Sequence, residues 1–313
     1  MENYQNYRLP AWFRQEIPGE GALSRIRKLS SFNINTVCKE AKCPNLSHCF
    51  ENGKLTFMIL GDVCTRNCRF CGVKKKSGTV LKPKQNCPQS GDSLRLSQEP
   101  SLEIDSDEPK RLALAVKEFG INYAVITSVT RDDLKDGGAG QFAETIESIR
   151  EAVPGIKVEA LIPDFRGEIS SLKSVLGACP TVVAHNMETV SRLYAELRPE
   201  ASYRLSLNML GKIKELAPGI NTKSSLMLGL GETEPEVIAI MKDLRYNNCD
   251  VLTLGQYLAP SLEHYPVKEF ISIEQFQNYK KIGVNLGFKL VFSGPLVRSS
   301  YHAEEIYKEF MHV

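Results

Sequence analysis

Residues 57–73 read FMILGDVCTRNCRFCGV. An apolar run with the character of a buried strand stops at Gly61, and Cys64, Cys68 and Cys71 follow in CxxxCxxC spacing. The rest of the chain says what kind of strand this is. Apolar runs rich in Val, Ile and Leu recur at 55–61, 121–129, 156–163, 181–186, 224–229, 251–257 and 289–294, separated by amphipathic segments. SDEPKRLALAVKEFG (106–120) starts on acidic residues and Pro109, repeats apolar residues at Leu112, Ala115, Val116 and Phe119, and stops at Gly120. TEPEVIAIMKDLRYNN (233–248) repeats the pattern, with Thr233 as N-cap and Pro235 in the first turn. Such a βα rhythm predicts a parallel barrel or an open parallel sheet covered by helices. Barrels of this kind carry their chemistry at the C-terminal ends of the strands, and the cysteine triplet follows such an end.

Composition narrows the function classes. A chain of 313 residues, 42% hydrophobic and 24% charged, can bury one large core. With 39 basic residues against 37 acidic ones the net charge is +2, so no global charge calls for nucleic acid or an anionic membrane. No apolar run reaches the roughly 18 residues a bilayer span needs, and MENYQNYRLPAWFRQEIPGEG (1–21) has no apolar leader core, so a cytoplasmic protein is expected.

In a reducing compartment the nine cysteines need another explanation than disulfides. Six form two triplets: Cys38, Cys43 and Cys49 in VCKEAKCPNLSHCF (37–50), then Cys64, Cys68 and Cys71. Cys87 has no nearby partner, and Cys179 and Cys249 read as small buried hydrophobes. Thiolates suit zinc and iron–sulfur clusters. Structural zinc wants a closed shell of four, and the second triplet lacks a neighbouring fourth ligand; three thiolates on a cubane cluster leave one iron open to a small molecule. Zinc borrowing a distant His or Asp is the alternative there, and His48 could complete a Cys₃His zinc site with the first triplet.

A CxxxCxxC loop after the first strand of a βα barrel, with Phe70 before its last cysteine, is similar to the signature of the radical S-adenosylmethionine (SAM) superfamily. Eight blocks sharpen the likeness: VCKEAKCPN (37–45), TFMILGDVCTRNCRFC (56–71), ITSVTRDDLKDGGA (126–139), LIPDFRG (161–167), HNMETVSRLY (185–194), MLGLGE (227–232), LTLGQYL (252–258) and GPLVRSSYHAEE (294–305). In this order, over about residues 30–305, they resemble the lipoyl synthase family.

The resemblance implies a partial parallel (βα)6 TIM-type barrel at 55–288, an N-terminal extension at 1–54 and a C-terminal extension at 289–313. The polar segment 72–106 falls outside the family pattern and reads as a mobile surface loop or a docking element. The implied reaction inserts two sulfur atoms at C6 and C8 of an octanoyl chain carried on a protein lysine. Two [4Fe–4S] clusters are implied: a SAM-binding one on Cys64, Cys68 and Cys71, and an auxiliary, sacrificial one on Cys38, Cys43, Cys49 and Ser300, with Ser299 as the fallback. A hard alkoxide matches iron less well than thiolate does, which makes Ser300 the weak corner of a cluster meant to be opened.

Contacts to SAM fall to Glu159, Asn186, Glu188 and Arg198; the Gly-Gly-Glu many superfamily members use is replaced here by TSVTRDDLKDGG (127–138). His185 reads as a packed strand-end residue, and Met227, Leu228 and Leu230 as walls of an acyl slot or as core. RDDLKDGGA and PDFRG shape βα loops, with Gly137 and Gly138 allowing a tight backbone path, and Phe50 stands where many relatives have Trp. The implied partners are an octanoylated carrier domain, which the basic run 74–76 could dock, a low-potential electron donor and an iron–sulfur carrier; a monomer is expected. A biotin-synthase-like enzyme, a non-catalytic iron–sulfur carrier and a zinc-stabilised module are the competing readings.

Overall fold

In a computed structural model, described for residues 10, 13, 17–76, 102–301 and 303–311, every one of the seven apolar runs contains a strand. Cys87 and most of the polar segment lie outside the described residues. The strands are β1 (Asn35–Thr36), β2 (Thr56–Ile59), β3 (Val63–Cys64), β4 (Lys74–Lys75), β5 (Tyr123–Ser128), β6 (Lys157–Leu161), β7 (Val182–Ala184), β8 (Asn221–Leu228), β9 (Val251–Gln256) and β10 (Leu290–Ser293). One sheet takes the order β1-β2-β5-β6-β7-β8-β9-β10, with β3 and β4 forming a small parallel pair of their own. From β2 to β10 every pairing is parallel, and β1 lies antiparallel on the edge, Asn35 opposite Met58. The sheet is an incomplete barrel whose edge strands do not meet among the described residues.

β10 departs from the division expected from sequence. It pairs with β9 over four residues, Leu290 with Val251 through Ser293 with Leu254, so the start of the C-terminal extension is a seventh parallel strand. Helix Ile273–Asn285 makes this possible by burying Phe276 and Tyr279 and so supplying one more βαβ crossover.

The helices obey their sequence signals. Glu108–Glu118 has Pro109 in its first turn, and Glu234–Tyr246 starts at Thr233, whose N–H and hydroxyl both donate to Glu236. Strand alternation separates two faces. Ala124, Ile126, Val158, Ala160, Leu252 and Leu254 pack into the main core with the helices, whereas Tyr123 and Val125 meet the C-terminal helix Ala303–Met311 in a separate cluster. That second face also carries Glu159 and Lys223, buried and paired, on β6 and β8.

Candidate active site with two cysteine triplets

The loop carrying Cys64, Cys68 and Cys71 is tied to the strand ends around it. Thr65 N–H donates to Thr130 O (3.0 Å) and Arg69 N–H to Leu197 O (2.9 Å), and Cys64 itself pairs with Lys75 across β3 and β4. Arg66, between the first two cysteines, fastens the loop. Its guanidinium binds both oxygens of Asp164 (2.7 and 2.6 Å) and both of Asp132 (2.7 and 2.9 Å). Arg66 and Asp164 are buried, so these are paired charges inside the protein. Burial opposes the Asp164 charge, and Arg66 overcomes it to hold the carboxyl at about 2. The expected loop-shaping role of RDDLKDGGA and PDFRG is this: Asp132 and Asp164 grip the cysteine loop, while Arg131 pairs with Asp133 and Arg166 Nη1 reaches Asp132 O. Gly138 shows why glycine is needed, since its φ is +90° and a Cβ there would lie 2.2 Å from Leu60 Cδ1.

Beside this loop stand three of the four residues expected at SAM. Arg198 and Glu188 both act electrostatically on Cys68, and Glu188 also on Cys71. Asn186 Nδ2 donates to Glu188 Oε1 (3.0 Å), and Arg198 Nη1 donates to Met187 O (3.1 Å) and to the Tyr194 hydroxyl (3.0 Å). Burial raises the Glu188 carboxyl and Arg198 partly restores it. Asn186 Oδ1 and Arg198 Nε are buried without a hydrogen-bond partner, as is His185 Nε2, so the group keeps polar capacity unspent. That is the donor and acceptor set a zwitterionic, ribose-bearing ligand needs. His185 is packed as expected: Nδ1 bonds Ile162 O (2.9 Å), and burial, then Arg198, lowers its pKa to about 4, leaving it neutral.

Glu159, the fourth, stands elsewhere. Its carboxylate accepts from Lys223 Nζ and from the Tyr123 hydroxyl, both at 2.8 Å, and Tyr123 lines the cavity of the other triplet. Both oxygens are engaged in that buried network. Leu228 and Leu230 are core residues, and Met227 is half-buried.

Cys38, Cys43 and Cys49 line a cavity of about 250 Å³ together with Thr56, Arg298 and Ser300. Residues from both ends of the chain therefore share one space. Thr56 Oγ1 donates to Ser300 Oγ (2.7 Å), Asn45 Nδ2 donates to Leu296 O (2.6 Å), and the His48 and Tyr301 rings lie 6.4 Å apart. Lys54 pairs with Glu305 on the rim. On the sheet side the 294–300 segment runs over Gly255, where a Cβ would stand 1.9 Å from Val297 O. Glycine is thus the residue that lets the serine-bearing turn approach β9.

The thiols of each triplet feel one another. Burial and then the neighbouring thiols push Cys38 up to about 12; Cys71 behaves alike, with Cys68 and Cys64 as its neighbours. Gathering three thiolates needs positive charge to offset that repulsion. Among the described residues no three His, Cys, Asp or Glu groups converge tightly enough for a single metal ion. Thiols grouped but spread around a cavity suit a multi-atom iron–sulfur group better than one zinc ion.

Cys249 is buried as expected, but Cys179 is exposed, in a left-handed turn with φ +56°. Three consequential residues escaped the sequence reading: Arg66, Asp164 and Thr56. The arginine between two candidate ligands was the one visible signal.

A model of the radical SAM superfamily matches residues 58–244. Lipoyl synthase of Syntrophotalea carbinolica is 48% identical over 305 residues, covering 97% of this chain and 91% of that protein. Lipoyl synthase of Caldanaerobacter subterraneus subsp. tengcongensis is 48% identical over 95% of this chain and 96% of its own. The solved structure of HydG, a maturase of the [FeFe]-hydrogenase, superposes with a TM-score of 0.51 at 14% identity, over 93% of this chain and 71% of that one, a likeness of fold alone.

Proposed function

The chain belongs to the lipoyl synthase family of the radical SAM superfamily, and from that premise we propose how its residues divide the work. The family reaction, insertion of two sulfur atoms at C6 and C8 of an octanoyl chain bound to a carrier-protein lysine, is the activity of this chain. It uses SAM and two [4Fe–4S] clusters. No side chain can remove such an unactivated hydrogen as a proton, so the bound clusters and SAM supply the radical chemistry and the sulfur.

The protein's share is placement. Cys64, Cys68 and Cys71 hold the SAM-binding cluster, and Arg66 keeps their loop in register with the strand ends through Asp132 and Asp164. Asn186, Glu188 and Arg198 hold the polar groups of SAM, with Asn186 Oδ1 and Arg198 Nε buried and without a partner. Cys38, Cys43, Cys49 and Ser300 hold the auxiliary cluster. The observation that carries this is the shared cavity, which joins Ser300 to three cysteines from the opposite end of the chain.

The carrier docks beside the cysteine loop, where Lys74, paired with Asp62, and Lys75, in register with Cys64, begin the basic run. A low-potential donor and an iron–sulfur carrier serve the clusters, and the chain works as a monomer in the cytoplasm. No helix among the described residues is long and apolar enough to cross a membrane. The test is mass spectrometry of an octanoyl-lysyl peptide incubated anaerobically with the reconstituted chain, a low-potential reductant and SAM. Two added sulfurs are expected from the native chain and none from Ser300→Ala; 5′-deoxyadenosine release with an unchanged peptide would move the search to another substrate.

A further inference from the structure

Thr56 is the first residue of β2 and pairs with Val125 of β5, so its position is set by the sheet. It is buried, at 4% exposure. A buried strand position of this size suits valine as well as threonine, and a buried hydroxyl is costly unless it is bonded. Here its partner comes from the far end of the chain. Thr56 Oγ1 donates to Ser300 Oγ at 2.7 Å. Cys38 comes from the N-terminal extension and Ser300 from the C-terminal one, and both line the same cavity.

We infer that Thr56 is the positioning residue for Ser300 at the auxiliary site, an inference that rests on the proposed ligand role of Ser300. Ser300 sits in an irregular turn after β10, with no helix or strand of its own to aim it. Threonine, β-branched, has few rotamers, so its hydroxyl points where the strand dictates. The sheet, through Thr56, therefore sets where the Ser300 oxygen stands. A donor to that oxygen also lowers its basicity and gives it a partner whenever it is off the metal, so it stays in place and the corner recloses on the same residue instead of on water.

The experiment uses the full chain with Cys64, Cys68 and Cys71 changed to alanine, so that iron loads only at the first triplet. Iron release to an anaerobic ferrous chelator is followed by absorbance for four versions: otherwise unchanged, Thr56→Val, Thr56→Ser and Ser300→Ala. Thr56→Val is expected to release iron roughly tenfold faster, the scale of one buried hydrogen bond to a charged group. Thr56→Ser, which keeps the hydroxyl but not the β-branch that aims it, is expected to fall between the unchanged chain and Thr56→Val. Thr56→Val combined with Ser300→Ala is expected to be no faster than Ser300→Ala alone, because the threonine acts through the serine.

Ser300→Ala releasing iron at the unchanged rate would overturn the ligand reading itself. A fast Ser300→Ala with Thr56→Val unchanged would overturn the role of Thr56 alone. Thr56→Ser as fast as Thr56→Val would assign the effect to packing and also overturn it. If Thr56→Val takes up no iron, full loading of Thr56→Ser supports the inference and failure of both overturns it.

Discussion

Cys64, Cys68 and Cys71 come from the end of β3 and the loop that joins it to β4, and the groups that fix that loop sit at the ends of adjacent strands. Cys38, Cys43 and Cys49 share their cavity with a serine from the far end of the chain, held there by Thr56, Asn45 and the space over Gly255. The first arrangement is local and clamped by buried charge. The second exists only once both chain ends have closed on the sheet. The contrast suits a division of labour in which one cluster must persist and the other must open. An open iron for SAM needs rigid thiolates around it, whereas a corner that gives way needs a ligand whose position does not depend on its own bond to the metal.

The largest effect should come from emptying one site at a time. Replacing Cys64, Cys68 and Cys71 by alanine is expected to abolish 5′-deoxyadenosine formation while iron still loads at the other triplet. Replacing Cys38, Cys43 and Cys49 should leave SAM cleavage intact and abolish sulfur insertion. Both are read by iron analysis and product chromatography. If either triple replacement empties both sites, the two regions are not independent and the comparison breaks.

Arg66→Met attacks the clamp. It leaves Asp164 buried without its counter-charge, a loss of about 3–5 kcal/mol in stability, and iron uptake at the second triplet should fall while the first still loads. Calorimetry and iron counts on the same preparation separate the two effects. Full loading at both sites would mean that the loop needs no clamp.

The buried construction around Arg66 and Arg198 also predicts a pH signature. Burial, with a smaller push from Arg198, lowers His185 to about 4. As the pH falls below the ordinary value near 6.5 the unfolded chain takes up a proton on this imidazole, and the folded chain does not until about 4. Stability is thus lost on acidification at up to about 1.4 kcal/mol per pH unit, in total about 3 kcal/mol across the window, and is fully regained above it. Melting temperatures between pH 7.5 and 5 should fall less steeply for His185→Asn than for the native chain. Equal slopes would place the acid sensitivity elsewhere.

How much of this was legible depends on the range of the interaction involved. The seven strands follow from apolar runs and helix signals, because each βα unit is a local pattern repeated, whereas their order in one incomplete barrel followed from the likeness to a family. The cysteine loop at the strand ends was visible for the same reason. The likeness to a known family, not spacing, paired Ser300 with the first triplet. Asn186, Glu188, Arg198 and Glu159 could be picked out by type, but the network that engages Glu159 could not be read. A carboxylate on a strand says nothing about which end of the barrel it serves, and its partners, Tyr123 and Lys223, lie 36 and 64 residues away. Thr56 looked like an ordinary strand residue, since its hydroxyl acquires meaning only when the last turn of the chain arrives. Gly255 inside a strand run was the one sequence hint that another backbone passes close by.

The smallest effect tests what holds the far end in place. Lys54 and Glu305 pair on the rim of the cavity, with side chains 26% and 46% exposed. Ion pairs this open are screened by water and salt, and contribute about 0–1 kcal/mol. Glu305→Gln should therefore leave chelator-driven iron release from the first site within about twofold of the native rate, at low and high salt alike. The half-buried ties, Asn45 to Leu296 and Thr56 to Ser300, would then carry the closure, because hydrogen bonds between neutral groups are not screened by salt. A larger, salt-dependent acceleration would reverse that ranking. It would make the C-terminal helix, on which Glu305 sits, a charged latch whose opening exposes the auxiliary site from outside.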